Sequence, residues 1–174
     1  MNIQNDEYGE FYAGYIVRCN ERPLMELLET GRGNVTSLIE PVSEEESFYR
    51  YETGKWSVKE VLGHMIDTER IFSFRALALA RGEKLELPGY DHNQYVMEAD
   101  FNRHSLKNLD QQYRLVREAT LALFSNFSEE ELLRKGRVNQ SGFSVRGLGY
   151  VIAGHELNHI SILKEYYLPG INQS

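Results

Sequence analysis

Near the C-terminus, Val145, Leu148, Ile152, His155, His159, Ile162 and Tyr166 follow one another at spacings of three and four. That period marks one face of a helix turned toward a core. It predicts a helix opening near Ser144 and closing before Pro169 and Gly170. Three further segments carry helix punctuation. The first runs from about Pro23, a favourable first-turn residue, to Glu40, with Pro41 as its stop. Gly31 and Gly33 weaken it, since glycine costs about 1 kcal/mol in a helix interior. The second starts after Ser57, where S-V-K-E forms a capping box with Glu60, and continues to Arg81 before Gly82. The third spans about Ser105 to Asn126. Residues 82–104 read as a long irregular connection between the second and third helices. Beyond the third, S-E-E-E at 128–131 offers another capping box, and K-G-R-V-N-Q-S-G-F-S a turn or small hairpin. Four long helices and one long crossover predict an all-α protein, a four-helix bundle forming a single domain over residues 1–174.

Composition narrows the setting. A chain of 174 residues is long enough to bury its own core. Its net charge of −7 disfavours binding to a phosphate backbone, which needs clustered Lys and Arg. The acidic N-terminus lacks the basic-then-apolar order of a signal peptide, and the longest apolar run, Ala76 to Ala80, is too short to cross a bilayer. The expectation is a cytoplasmic protein acting on a small-molecule substrate, with no nucleic acid and no membrane partner. A single cysteine, Cys19, excludes an internal disulfide framework and a Cys-rich zinc site; it reads as an inert thiol.

The candidate chemistry lies in the last helix. His155 and His159, at i and i+4, project from the same face, close enough to chelate one ion. Two imidazoles in a core are costly unless each ring nitrogen finds a partner. The alternative is two core histidines hydrogen-bonded to carbonyls or carboxylates; the paired spacing inside an apolar stripe favours metal. A third ligand is needed. His64, on a face of the second helix with Val61, Thr68 and Ile71, is the best candidate. Gly63 and Gly154, each directly before a ligand, would ease close helix approach. His92 and His104, among polar neighbours in the connection, are expected in solvent. Asp67 could orient His64 but fits the surface better, and Trp56 is expected to pack the start of the second helix. Three histidine ligands leave a coordination position open, the arrangement of catalytic sites, and allow zinc, nickel or another borderline divalent ion.

G-H-E-L-N-H at 154–159 also spells the H-E-x-x-H pattern, in which Glu156 would serve as the general base of a zinc peptidase. Such peptidases usually take a third ligand downstream, and the 15 residues after His159 contain no histidine. The peptidase is therefore the minority reading, beside that of a non-catalytic, metal-stabilised binding or stress protein. Arg70, Arg75 and Arg81 follow His64 along its helix and could recognise an anionic thiol, though a solvated face is the expectation. Arg137 and Arg146 carry the same ambiguity.

G-K-W-S-V-K-E-V-L-G-H-M-I-D-T-E at 54–69, G-Y-D at 89–91 and the terminal G-H-E-L-N-H-I together resemble the DinB-like superfamily, in its YfiT-like branch, over roughly residues 21–168. The resemblance implies a four-helix bundle holding a divalent metal, nickel or zinc, on His64, His155 and His159. It implies an enzyme: a metal-dependent hydrolase, or an S-transferase using a low-molecular-weight thiol of the bacillithiol type as cosubstrate. Such an enzyme needs no catalytic cysteine of its own. Bundles of this kind also pair through exposed apolar helix faces, so a homodimer is the expected assembly.

Overall fold

The computed structural model describes residues 3–171. Short 3-10 turns lead into α1 (Ala13–Arg18), followed by α2 (Leu24–Ile39), α3 (Val58–Ala80), α4 (His92–Ala99), α5 (Leu106–Ser125) and α6 (Glu129–Leu133). A hairpin of β1 (Lys135–Val138) and β2 (Ser141–Ser144) then feeds α7 (Val145–Ile162), and a π turn (Leu163–Tyr167) leads to α8 (Leu168–Ile171). The capping signals do what the sequence suggests. Ser57 accepts the Glu60 N–H while the Glu60 carboxylate accepts the Ser57 N–H, and Ser128 and Glu131 repeat the exchange.

The bundle is made by α2, α3, α5 and α7. Its packed pairs are α3–α7, α3–α5, α2–α7 and α2–α5, so α2 and α3, consecutive among the long helices, face each other diagonally. Two apolar clusters fill it end to end. One holds Leu28, Phe72, Leu79, Phe143 and Leu148; the other holds Val35, Leu62, Ile66, Leu109 and Ile160. α2 and α7 start in the first cluster and end in the second, whereas α3 and α5 run the other way. The neighbours α3 and α5 are therefore parallel, which requires the chain to travel the bundle's length between them. The 82–104 connection does this, as a crossover in a bundle must.

That connection is more ordered than expected. Asp91 caps α4 by accepting from the Asn93 and Gln94 N–H groups, so His92 opens a helix instead of lying in a loop. The hairpin turns on Asn139 and Gln140, both at positive φ (46° and 65°), the geometry that suits two-residue hairpin turns. The last helix departs from its stripe at one place. The π turn inserts an extra residue, so Tyr167 is buried and Tyr166, expected in the core, is 46% exposed. Helical structure also continues without a break past Pro169, which lies just after the π turn. Among the described residues no helix is long and apolar enough to cross a membrane.

Between the two apolar clusters lies a polar layer. Arg117 of α5 binds Glu69 of α3 through two hydrogen bonds of 2.8 Å and meets Glu156 of α7 at 2.5 Å, while donating to the Leu28 carbonyl of α2. Tyr113 donates to Glu156 and lies 3.2 Å from the Gly31 carbonyl. All four bundle helices thus meet at one guanidinium. Burial works against its charge, but Glu69 more than restores it, raising its pKa and keeping it protonated. Gly31 now has its reason: a Cβ there would lie 2.2 Å from Glu156 Oε1 and 2.3 Å from Arg117 Nη1.

Candidate metal centre

His64, His155 and His159 come together, as their spacing and the apolar stripe predict. α3 and α7 are directly packed and antiparallel, so His64, two turns into α3, faces the pair on the middle of α7. His155 Nε2 lies 2.9 Å from His64 Nε2 and 3.1 Å from His159 Nε2, and the three rings are buried. Their ligating atoms all fall within 4.8 Å of one another. Metal–nitrogen bonds of about 2.0–2.1 Å place adjacent ligand atoms roughly 3 Å apart, so the separations suit one shared ion. The protonation state suits it too. Desolvation and mutual repulsion push His64 down to about 3, His155 well below its usual value, and His159, mainly by burial, to about 4. The rings are neutral at pH 7 and their lone pairs are free to coordinate.

The surroundings correct several expectations. Thr68, one turn after His64, approaches its Nδ1 at 3.5 Å and bonds Tyr90 at 2.8 Å, while Asp67 is half-buried and pairs with Arg70 instead of His64. Trp56 tilts against the His64 ring at a centroid distance of 4.8 Å, so it walls the site as well as leading into α3. His92 is exposed, as expected, yet its ring stands 5.6 Å from that of His64 at the cavity mouth. The two glycines do not serve α3–α7 approach. A Cβ at Gly63 would strike the Phe101 ring, and one at Gly154 would lie 2.1 Å from the Tyr15 carbonyl. Gly154 therefore admits α1, whose Tyr15 ring meets His155 edge-on at 5.5 Å.

The histidines form the floor of a cavity of about 400 Å³, a size suited to a small molecule. Tyr12, Tyr15, Trp56, Phe72 and Tyr90 supply aromatic walls, and Asn139 and Ser141 of the hairpin a polar rim. No carboxylate lines it among the described residues. Glu156, the base of the peptidase reading, is held by Arg117 and Tyr113 in the polar layer instead. Of the arginines considered, Arg70, Arg81, Arg137 and Arg146 pair with Asp67, Glu131, Glu86 and Glu7, and Arg75 alone reaches the cavity. Cys19 is buried at 3.5 Å from the Tyr15 and Tyr150 carbonyls, and burial pushes its thiol up to about 12, which makes it inert. The N-terminal wall of Tyr12 and Tyr15 carries no motif that sequence reading could have used.

The family model of the DinB superfamily matches residues 27–163. The chain belongs to the DinB superfamily. Among solved structures it is similar to YfiT of Bacillus subtilis, described as a probable metal-dependent hydrolase with an unusual four-helix-bundle topology. That match has 16% identity and a TM-score of 0.69, over 94% of this chain and 91% of that one. A second DinB-like protein of Bacillus subtilis, YjoA, matches with 17% identity and a TM-score of 0.59, over 86% of this chain and 90% of that one. Among curated proteins the sequence finds no match. At these identities the likeness carries the DinB fold, and the parallel α3–α5 pair and long crossover are this chain's version of it.

Proposed function

We propose that this DinB-superfamily protein is a divalent-metal-dependent enzyme in which His64, His155 and His159 hold the ion. The observation that carries the reading is the convergence of three buried, neutral Nε2 atoms on the floor of an aromatic cavity. Zinc or nickel there would supply a Lewis acid able to lower the pKa of a water or of a low-molecular-weight thiol. The chain's own part is orientation and exclusion. Thr68 steers His64, Trp56 and Tyr15 pack the rings in place, and the aromatic walls keep bulk solvent from the reacting atoms. The description of YfiT supports hydrolysis. A cavity with no carboxylate base among its described residues favours a thiol nucleophile, since a thiol with pKa of about 8.5 gives up its proton far more readily than water. Elemental mass spectrometry on untagged protein, beside His64→Ala and His159→Ala, tests the site. About one nickel or zinc per chain in wild type, lost in both variants, is the expected result. Metal retained without His64 would break the triad.

A further inference from the structure

Among the described residues three Lys or Arg side chains are buried: Lys59, Arg75 and Arg117, at 1%, 3% and 0% exposure. Lys59 is paired with Glu44, and Arg117 with Glu69 and Glu156. Arg75 has no carboxylate within ion-pairing distance among the described residues. Its polar contact is the Pro88 carbonyl at 2.7 Å, which takes one of the five N–H donors a guanidinium carries. The ring faces of Phe72 and Tyr90 flank it at 4.8 and 5.5 Å. The ionisable groups its charge meets are the phenols of Tyr12, Tyr90 and Tyr95, and none of them is a carboxylate. A desolvated cation without a counter-charge is unfavourable, and burial accordingly lowers the Arg75 pKa. The same guanidinium lines the cavity floored by the three histidines.

We propose that Arg75 anchors the carboxylate of a small monoanionic ligand, whose apolar body lies against the aromatic walls and whose other end reaches the histidines. The planar guanidinium fork matches the two oxygens of a carboxylate. With no lysine and no second arginine lining the cavity among the described residues, a monoanion suits it better than a phosphate dianion. Only the role of the ligand's far end rests on the metal-enzyme reading; the anchoring itself does not.

The test uses the full-length protein, as purified and after treatment with chelator. The probes are 3-phenylpropanoate and its neutral counterpart 3-phenylpropanamide, followed by the fluorescence of Trp56, which is the single tryptophan and lines the cavity. The acid is expected to bind at least tenfold more tightly than the amide in both preparations. Arg75→Gln is expected to abolish that preference while keeping its circular dichroism and melting temperature. Arg75→Lys, which keeps the charge and loses the fork, is expected to reduce it severalfold and serves if the Gln variant proves unstable. Equal binding of acid and amide by wild type would overturn the proposal, as would a preference unchanged in the substituted proteins. Acid binding that disappears on chelation would put the anion on the metal and overturn it too. A protein that binds no metal yet prefers the acid would sink the enzyme reading and leave Arg75 as the anchor.

Discussion

Glu156 and its neighbours in sequence, His155 and His159, sit on one helix and have opposite fates. Glu156 turns into a layer where every polar group is met by another from the chain: Arg117, Glu69 and Tyr113 close around it. The histidines turn the other way, into a cluster whose Nε2 atoms meet only each other, and His159 Nδ1 is buried without a hydrogen-bond partner among the described residues. A buried polar group whose partners all belong to the chain is architecture. One whose partners are missing is a place for something else. H-E-x-x-H therefore spans two regions here, and its middle carboxylate serves the fold.

If the polar layer is a closed unit, breaking it should give the largest loss. Arg117→Ala leaves Glu69 and Glu156 buried without their cation, and urea denaturation is expected to show a loss of about 3–5 kcal/mol. A loss under about 1 kcal/mol would mean that the layer is not the joint between the helices.

The histidine region should behave in the reverse way. Wild type is expected to gain about 2.7 kcal/mol from zinc or nickel at one hundred times its Kd, read as a rise in melting temperature. His159→Leu should lose that gain entirely while changing the metal-free stability by less than about 1 kcal/mol, since the buried ring it replaces lacks a partner at Nδ1. A large metal-free loss would make the histidines structural.

Gly31→Ala sharpens the boundary between helix propensity and packing. Alanine is better by about 1 kcal/mol in a free helix, but its Cβ would displace Glu156 and Arg117. The net result expected in thermal melts is a destabilisation of about 1–3 kcal/mol. A stabilised variant would show that the polar layer yields easily.

The remaining tests vary pH. In the metal-free protein His64 and His159 stay neutral down to about 3 and 4, whereas in the unfolded chain they protonate near 6.5. The unfolded state then binds more protons, so stability is full above pH 6.5 and falls as pH drops toward 4. His64→Leu and His159→Leu should each flatten that limb. Burial alone would raise the Glu7 pKa, but hydrogen bonds from Arg146, the Gln4 backbone and Ser144 outweigh it and hold the carboxyl below 4.5. Its contribution is present above that value and lost as pH falls below it, so Glu7→Gln should lower stability above about pH 4.5 and remove this part of the fall at the acid end. Stability measured from pH 8 to 3 separates the two windows.

Period and capping reach no further than a turn or two along the chain, and within that range they determined much. The four long helices, the capping box at Ser57, the hairpin before α7 and the shared face of His155 and His159 all follow from neighbours in sequence. His64 was legible as a partner because it repeats the same signal, a histidine on an apolar face. Beyond the core-facing stripe that the period marks, the tertiary structure alone decided the final rotation of each helix about its axis. That rotation turned Glu156 toward Arg117 and Arg75 toward the cavity, and only the folded chain brought Tyr12 and Tyr15 from the N-terminus to its wall. A side chain's partner is chosen by the packing of whole helices, where the burial of two apolar clusters outweighs any single polar preference.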